Sequence, residues 1–146
     1  MPSNKNSAIH HFLTAILGVV IFLMLLSELI LNLTPPTARD ALIHHLAIPK
    51  LWLKNGGFYE IQWADFSYFP MNIDLLYLIP LYLHQDFIAN IIHMGFGIGT
   101  AFIIYHYLKT GFDRISGLLG VLIFLSTPIV FRSSTQAYVD LGLVFF

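Results

Sequence analysis

Long apolar runs separated by polar stretches set the pattern of this chain. Three runs cover residues 8–33, 87–108 and 115–131, and each has about the length that a helix needs to cross a bilayer. A fourth run starts at residue 138, and the sequence stops inside it. The pattern predicts an all-α, multi-pass transmembrane fold with three full spans and the start of a fourth.

The short fourth run predicts that residues 1–146 are the N-terminal part of a longer transmembrane domain. Its last residues, LGLVFF, are too few to cross a membrane. The unpaired backbone groups of such a partial helix would be costly in lipid. We therefore expect further spans to follow in the complete protein.

A loop over residues 34–86 separates the first two spans and is too long for a simple connection. Residues 37–57, TARDALIHHLAIPKLWLKNGG, carry apolar residues at helical spacing and end at a glycine pair. Residues 75–83 are apolar but too short to cross. The first segment is predicted to form a helix in the membrane interface, where the loop's many aromatic side chains are also favoured. The second is predicted to be either another interfacial helix or a lead-in to the next span.

Composition agrees with a membrane protein and excludes several other classes. Hydrophobic residues make up 57% of the chain and the mean hydropathy is +0.75, while charged residues make up 10%, against about 25% in a soluble domain. Because there is no cysteine, the chain has neither a disulfide framework nor a thiolate zinc site. A net charge of -1 provides no basic surface for nucleic acid.

Basic residues leave the orientation of the spans open. Lys5, Lys109 and Arg114 lie on one side, and four others lie in the loops of the opposite side. The density of charge in the short loop 109–116 favours a cytoplasmic position for that loop. Loop 34–86 is then extracytoplasmic, at the plasma membrane of a bacterium.

Three segments resemble a known family. RDALIHHLAIPKLWLKNGGFYE, residues 39–60, resembles the first extracytoplasmic loop of the GT-C superfamily of polyprenyl-phosphate-dependent glycosyltransferases, which includes protein O-mannosyltransferases and aminoarabinose transferases. YFPMNIDLLYLIP, residues 68–80, resembles the family's segment before the second span, and AYVD, residues 137–140, its acidic position after the third. The resemblance covers essentially the whole chain, but the family's remaining spans are missing.

This resemblance implies an enzyme that transfers a sugar from a polyprenyl-phosphate-linked donor to an acceptor outside the cell membrane. It assigns Asp40 as the catalytic carboxylate that deprotonates the acceptor. It assigns Asp140 as a supporting carboxylate that orients the acceptor or helps to bind a divalent metal ion. Judged without the resemblance, both are also explained as first-turn residues favoured by the helix dipole. The chain alone is expected to be inactive, because missing helices would form part of the donor groove.

Four further residues are candidates for substrate binding: Arg39, His44, His45 and Lys50. His44 follows Asp40 by one helical turn, so the two can share a face, whereas the adjacent His45 points to another. The histidines can bind a metal, a phosphate or a sugar, or serve as interfacial polar residues. The basic side chains, Arg132 included, can equally bind anionic headgroups.

The other polar residues are expected to have mainly structural roles. Asp65 and Asp74 are predicted to be solvated loop or helix-start residues. His93 is predicted to face the bundle or the interface. Glu28 lies within the first span, where a carboxylate indicates either a functional site or hydrogen-bonded packing.

A different class of protein fits the same apolar pattern. A small non-enzymatic multi-pass membrane protein, such as an assembly subunit or a transporter fragment, would be stable at this length. It would also be insensitive to replacement of Asp40. The enzyme hypothesis predicts instead that Asp40 and Asp140 converge in a groove between a surface helix and the bundle.

Overall fold

The protein is all-helical in the computed structural model, which describes residues 4–146 and their side chains from residue 7 onward. The helices are α1 Asn4–Asn32, α2 Ala47–Asn55, α3 Asp74–Tyr82, α4 Phe87–Gly111, α5 Arg114–Ser126, α6 Pro128–Ser134 and α7 Asp140–Phe145. A π-helical turn, Ala41–His45, precedes α2, and a 3-10 turn, Asp65–Tyr68, lies between α2 and α3. The predicted all-α class is confirmed for this part of the chain.

Two helices are long and apolar enough to cross a membrane. They are Ser7–Asn32 within α1 and Phe87–Gly111, which is α4. With about 1.5 Å of rise per residue, both exceed a hydrocarbon core of about 30 Å. Large apolar side chains on α1, such as Phe12, Phe22 and Ile30, are more than half exposed. Such a surface is stable against lipid or other apolar helices, as a membrane protein requires.

The predicted third span, residues 115–131, is divided into two helices. α5 ends at Ser126, α6 begins at Pro128, and their axes differ by 71°. Thr127 between them has an extended backbone, with φ -62° and ψ 122°, because the ring of a following proline disfavours the helical region. If this bent pair is one span, the described residues contain three spans. The predicted third span is therefore a bent pair of helices and not one straight helix.

α7 packs closely against the middle of α4 at two glycines. A Cβ atom on Gly97 would lie 3.1 Å from Cδ1 of Leu141, and one on Gly99 would lie 2.6 Å from Cε2 of Phe145. Since packed atoms do not approach so closely, the helices meet here only because both positions lack a side chain. The contact fixes α7, and with it Asp140, relative to α4.

The loop between α1 and α4 packs back onto the bundle. The π turn, α3, the start of α4 and the chain before α7 share a small buried core, which consists of Ala41, Leu46, Tyr77, Leu81, Ala89 and Ala137. α2 ends at Asn55 and is capped by Gly56, which has a positive φ of 76°. The N–H of Gly57 bonds to the carbonyl of Trp52 at 3.0 Å. The loop thus contains two α helices and supports a defined surface above the spans.

Gly99→Val is expected to force α7 away from α4. Inserting a side chain into such a tight contact costs about 1–3 kcal/mol. The thermal unfolding midpoint of the protein in lipid nanodiscs should therefore fall. Gly95→Val is the matched control on the same helix, because a Cβ at Gly95 meets nothing within 4 Å. Equal midpoints for the two variants would contradict the described packing.

Candidate functional site

His44 and His45 lie in a widened helical turn, and Asp40 directly precedes it. The N–H of Leu46 bonds to the carbonyl of Ala41 at 2.9 Å, five residues back, which makes this a π turn. Asp40, His44 and His45 all border one cavity. The wider turn explains how both adjacent histidines reach the same cavity. Turns of this kind occur frequently at functional sites.

The opposite wall of the cavity is the chain between α6 and α7. The side-chain oxygen of Gln136 accepts hydrogen bonds from the N–H groups of Thr37 and Ala38, at 3.2 and 3.0 Å. The hydroxyl of Tyr77 in α3 donates to the carbonyl of Tyr138. These bonds connect the loop to residues 136–138 and hold the two walls together.

The cavity between these walls has a volume of about 550 Å³. Its polar lining includes Asp40, His44, His45, Arg132, Tyr138 and Asp140. Both carboxylates that the resemblance singled out therefore border one space. Two carboxylates and one guanidinium group give its lining a formal charge of -1 when the histidines are neutral. Asp40 makes no side-chain capping bond to the turn that follows it.

His93 of α4 positions the wall that carries Asp140. Its Nε2 accepts a hydrogen bond from the N–H of Leu141 at 3.1 Å, and its Nδ1 lies 2.9 Å from the carbonyl oxygen of Ser133. A nitrogen that accepts from an N–H carries no proton, so the buried imidazole is neutral and donates from Nδ1. His93 thus joins α4 to the end of α6 and to the first turn of α7. The sequence predicts a bundle-facing residue there but gives no sign of this bridge.

Asp74 begins α3, so the predicted helix-start position is confirmed, but the residue is buried and not solvated. Its side chain is 3% exposed, and Oδ1 lies 2.8 Å from Nδ1 of His45. Tyr77 and Leu81, on the same face of α3, are buried as well. The face of α3 that carries Asp74 is therefore the packed one. Its place in the first turn of α3 also favours a negative charge.

Two tyrosines near the cavity stay protonated at physiological pH. Burial, and then the negative charge of Asp40, raises the pKa of Tyr138. Burial, and then the charge of Asp74, raises the pKa of Tyr77 well above its usual range. Both phenols are therefore hydrogen-bonding groups rather than bases, and the hydroxyl of Tyr77 acts as a donor.

Lys50 and Arg39 are not brought to this cavity. Nζ of Lys50 lies 2.5 Å from Oδ2 of Asp86 and borders a second cavity, of about 740 Å³, together with Lys54. Arg39 is exposed and lines neither cavity. The basic residue that borders the cavity together with Asp40 and Asp140 is Arg132. No local pattern singles it out, because α6 and the π turn meet only in the folded chain.

The side chains at the cavity do not by themselves form a complete site for the divalent metal ion that Asp140 was a candidate to bind. Within the residues that the structure describes, no three His, Asp or Glu side chains are grouped closely enough to hold an ion. A stable site normally needs at least three such ligands. The chemistry of this cavity is therefore derived from its side chains alone.

His93→Leu is expected to loosen the first turn of α7. Leucine fills a similar volume but cannot accept a hydrogen bond, so the buried N–H of Leu141 loses its partner at a cost of about 1–3 kcal/mol. Hydrogen exchange followed by mass spectrometry should show faster exchange over residues 138–146. His106→Leu, at an exposed position of α4, is the control and should leave that exchange unchanged. Equal exchange in both variants would exclude the bridging role of His93.

The cavity joins Asp40, Arg132 and Asp140 from distant parts of the chain, and its chemistry is the basis for assigning a function. No protein-family model, no curated protein and no solved structure matches this chain.

Proposed function

We propose that this chain forms part of a membrane glycosyltransferase of the GT-C type. The enzyme transfers a sugar from a polyprenyl-phosphate-linked donor in the bilayer to an acceptor at the extracytoplasmic face of the plasma membrane. One observation carries the proposal: Asp40, at the start of the loop, and Asp140, at the start of α7, border the same cavity. These are the two positions at which the resemblance places catalytic and supporting carboxylates.

Asp40 acts as the general base in this proposal. It accepts the proton of an acceptor hydroxyl or amine while that group attacks the anomeric carbon of the sugar. The bond from this carbon to the phosphate oxygen breaks, the phosphate keeps the electron pair, and attack from the opposite side inverts the anomeric configuration. A positioned base contributes about 10²–10⁴-fold to the rate of such a step.

Asp140 and Arg132 complement the base from the other wall. The carboxylate of Asp140 accepts a second hydrogen bond from the acceptor and so orients the attacking atom. The guanidinium group of Arg132 offers paired donors and a positive charge to the phosphate that leaves. Both side chains are exposed at the cavity, so a ligand has access to them.

A non-enzymatic membrane subunit is the second candidate, and the exposed apolar surface favours it. α1 presents large apolar side chains along much of its length, and Leu143 and Val144 of α7 are 71% and 57% exposed. Such a surface can pack against helices of a partner protein. Under this function, the carboxylates at the cavity would be solvated surface groups and their replacement would change no reaction.

Asp40→Asn is expected to lower sugar transfer by about 10²–10⁴-fold, because the amide cannot accept the proton of the acceptor. Because residues 1–146 alone are expected to be inactive, the complete gene product should be expressed in host membranes, and transfer of radiolabelled sugar from the endogenous lipid-linked pool should be measured. Asp140→Asn is expected to give a smaller loss, since it orients the acceptor without taking the proton.

Asp65→Asn is the matched control. It makes the same chemical change in the same loop, at an exposed residue that does not border the cavity. Transfer in its membranes should equal that of the unaltered protein. If membranes with Asp40→Asn transfer sugar as fast as those with Asp65→Asn, Asp40 is not the base and the proposal fails.

A further inference from the structure

His45 borders the cavity, and one edge of its imidazole is paired with a buried carboxylate. Its Nδ1 lies 2.8 Å from Oδ1 of Asp74, and the side chains are 20% and 3% exposed respectively. A carboxylate can only accept a hydrogen bond, so Nδ1 carries a proton. In the neutral ring the lone pair then resides on Nε2, at the edge away from Asp74.

A second contact restrains the ring. The imidazole of His45 lies edge-on to Tyr138, with ring centroids 5.9 Å apart and an interplanar angle of 69°. Tyr138 is itself held through its carbonyl by the hydroxyl of Tyr77, which is on the same face of α3 as Asp74. Both the tautomer and the orientation of His45 are therefore set before a ligand enters.

The charge of the cavity decides which ligand group can meet Nε2. Arg132 is the group in the lining that attracts the phosphate of the donor, whereas the two carboxylates and a lone pair on Nε2 disfavour an anion beside His45. A lone pair on neutral imidazole requires a donor, and hydroxyl groups are uncharged donors. The ligand group that fits this edge of the cavity is a hydroxyl.

We infer that His45 determines specificity by accepting a hydrogen bond at Nε2 from a hydroxyl group of the sugar or of the acceptor. Asp74 is a positioning residue, because it acts through the tautomer of His45 and does not border the cavity. Naming a sugar as the ligand rests on the proposed function. The tautomer of His45, and its need for a hydrogen-bond donor at Nε2, rest only on the contact of Nδ1 with Asp74.

The test uses the full chain in lipid nanodiscs with ¹⁵N-labelled histidine, and NMR reads which ring nitrogen of His45 carries a proton. His45→Gln assigns the signals. In the unaltered protein we expect a protonated Nδ1, an unprotonated Nε2, and a shift of the Nε2 signal on addition of methyl α-D-glucopyranoside. Inorganic phosphate should cause no such shift.

Asp74→Asn is the decisive variant, since it changes the partner of Nδ1 with little change of shape. The amide can donate to Nδ1 and so drive the proton to Nε2, as replacement of an aspartate by asparagine does in serine-protease triads. The lone pair facing the cavity is then lost, and binding of the glycoside should weaken by about tenfold. Asp65→Asn should change neither signal.

Three results would overturn the inference. They are a proton on Nε2 in the unaltered protein, an Nε2 signal that phosphate shifts and the glycoside does not, and glycoside binding that Asp74→Asn leaves intact. The proposed function fails separately, when membranes with Asp40→Asn keep full transfer. A chain with the expected tautomer and glycoside response, but with Asp40-independent transfer, would keep His45 as a binding residue and remove Asp40 as the base.

Discussion

α6 ends and α7 begins inside the bundle, and the free backbone groups at these two helix ends must find partners there. Side chains of the spanning helices supply them. Asn32 of α1 donates to the carbonyl of Ser134 at 3.0 Å, while His93 of α4 bonds to the carbonyl of Ser133 and accepts from the N–H of Leu141. Because unpaired backbone groups are costly in apolar surroundings, these bonds fix the path of the chain between α6 and α7. The placement of Arg132, Tyr138 and Asp140 follows from that path.

The loop between α1 and α4 forms the other wall of the cavity. Its π turn carries the two histidines directly after Asp40, and the contact of His45 with the buried Asp74 anchors that turn to α3. Gln136 and Tyr77 then join the loop to the chain before α7 from opposite sides. The cavity is thus framed by paired polar groups, and the charged side chains that remain at its surface are available to a ligand. Fixed groups of this kind cost no reorganisation during a reaction.

Local patterns predict the parts of this structure that depend on local physics. Length and apolarity suffice for α1 and α4. The helix break at Pro128 is also predictable, because a proline disfavours the helical conformation of the residue before it. The burial of Asp74 is predictable because it shares a helix face with Tyr77 and Leu81. The π turn and the bridge made by His93 were not, because they depend on contacts between segments far apart in sequence, such as the 48 residues that separate His93 from Leu141. The shared cavity of Asp40 and Asp140 was expected only through the family resemblance.

The most direct measurement of the central claim is the proximity of Asp40 and Asp140 in the membrane. The chain has no cysteine, so Asp40→Cys and Asp140→Cys introduced together provide the only two thiols. A short bifunctional thiol reagent should cross-link the two cysteines efficiently in native membranes. After proteolytic cleavage of the chain between the two sites, the fragments of the cross-linked protein should remain joined. The pair Asp65→Cys with Asp140→Cys should react far less, because Asp65 does not border the cavity. Equal cross-linking of the two pairs, or none in the first, would show that the two carboxylates do not share a site.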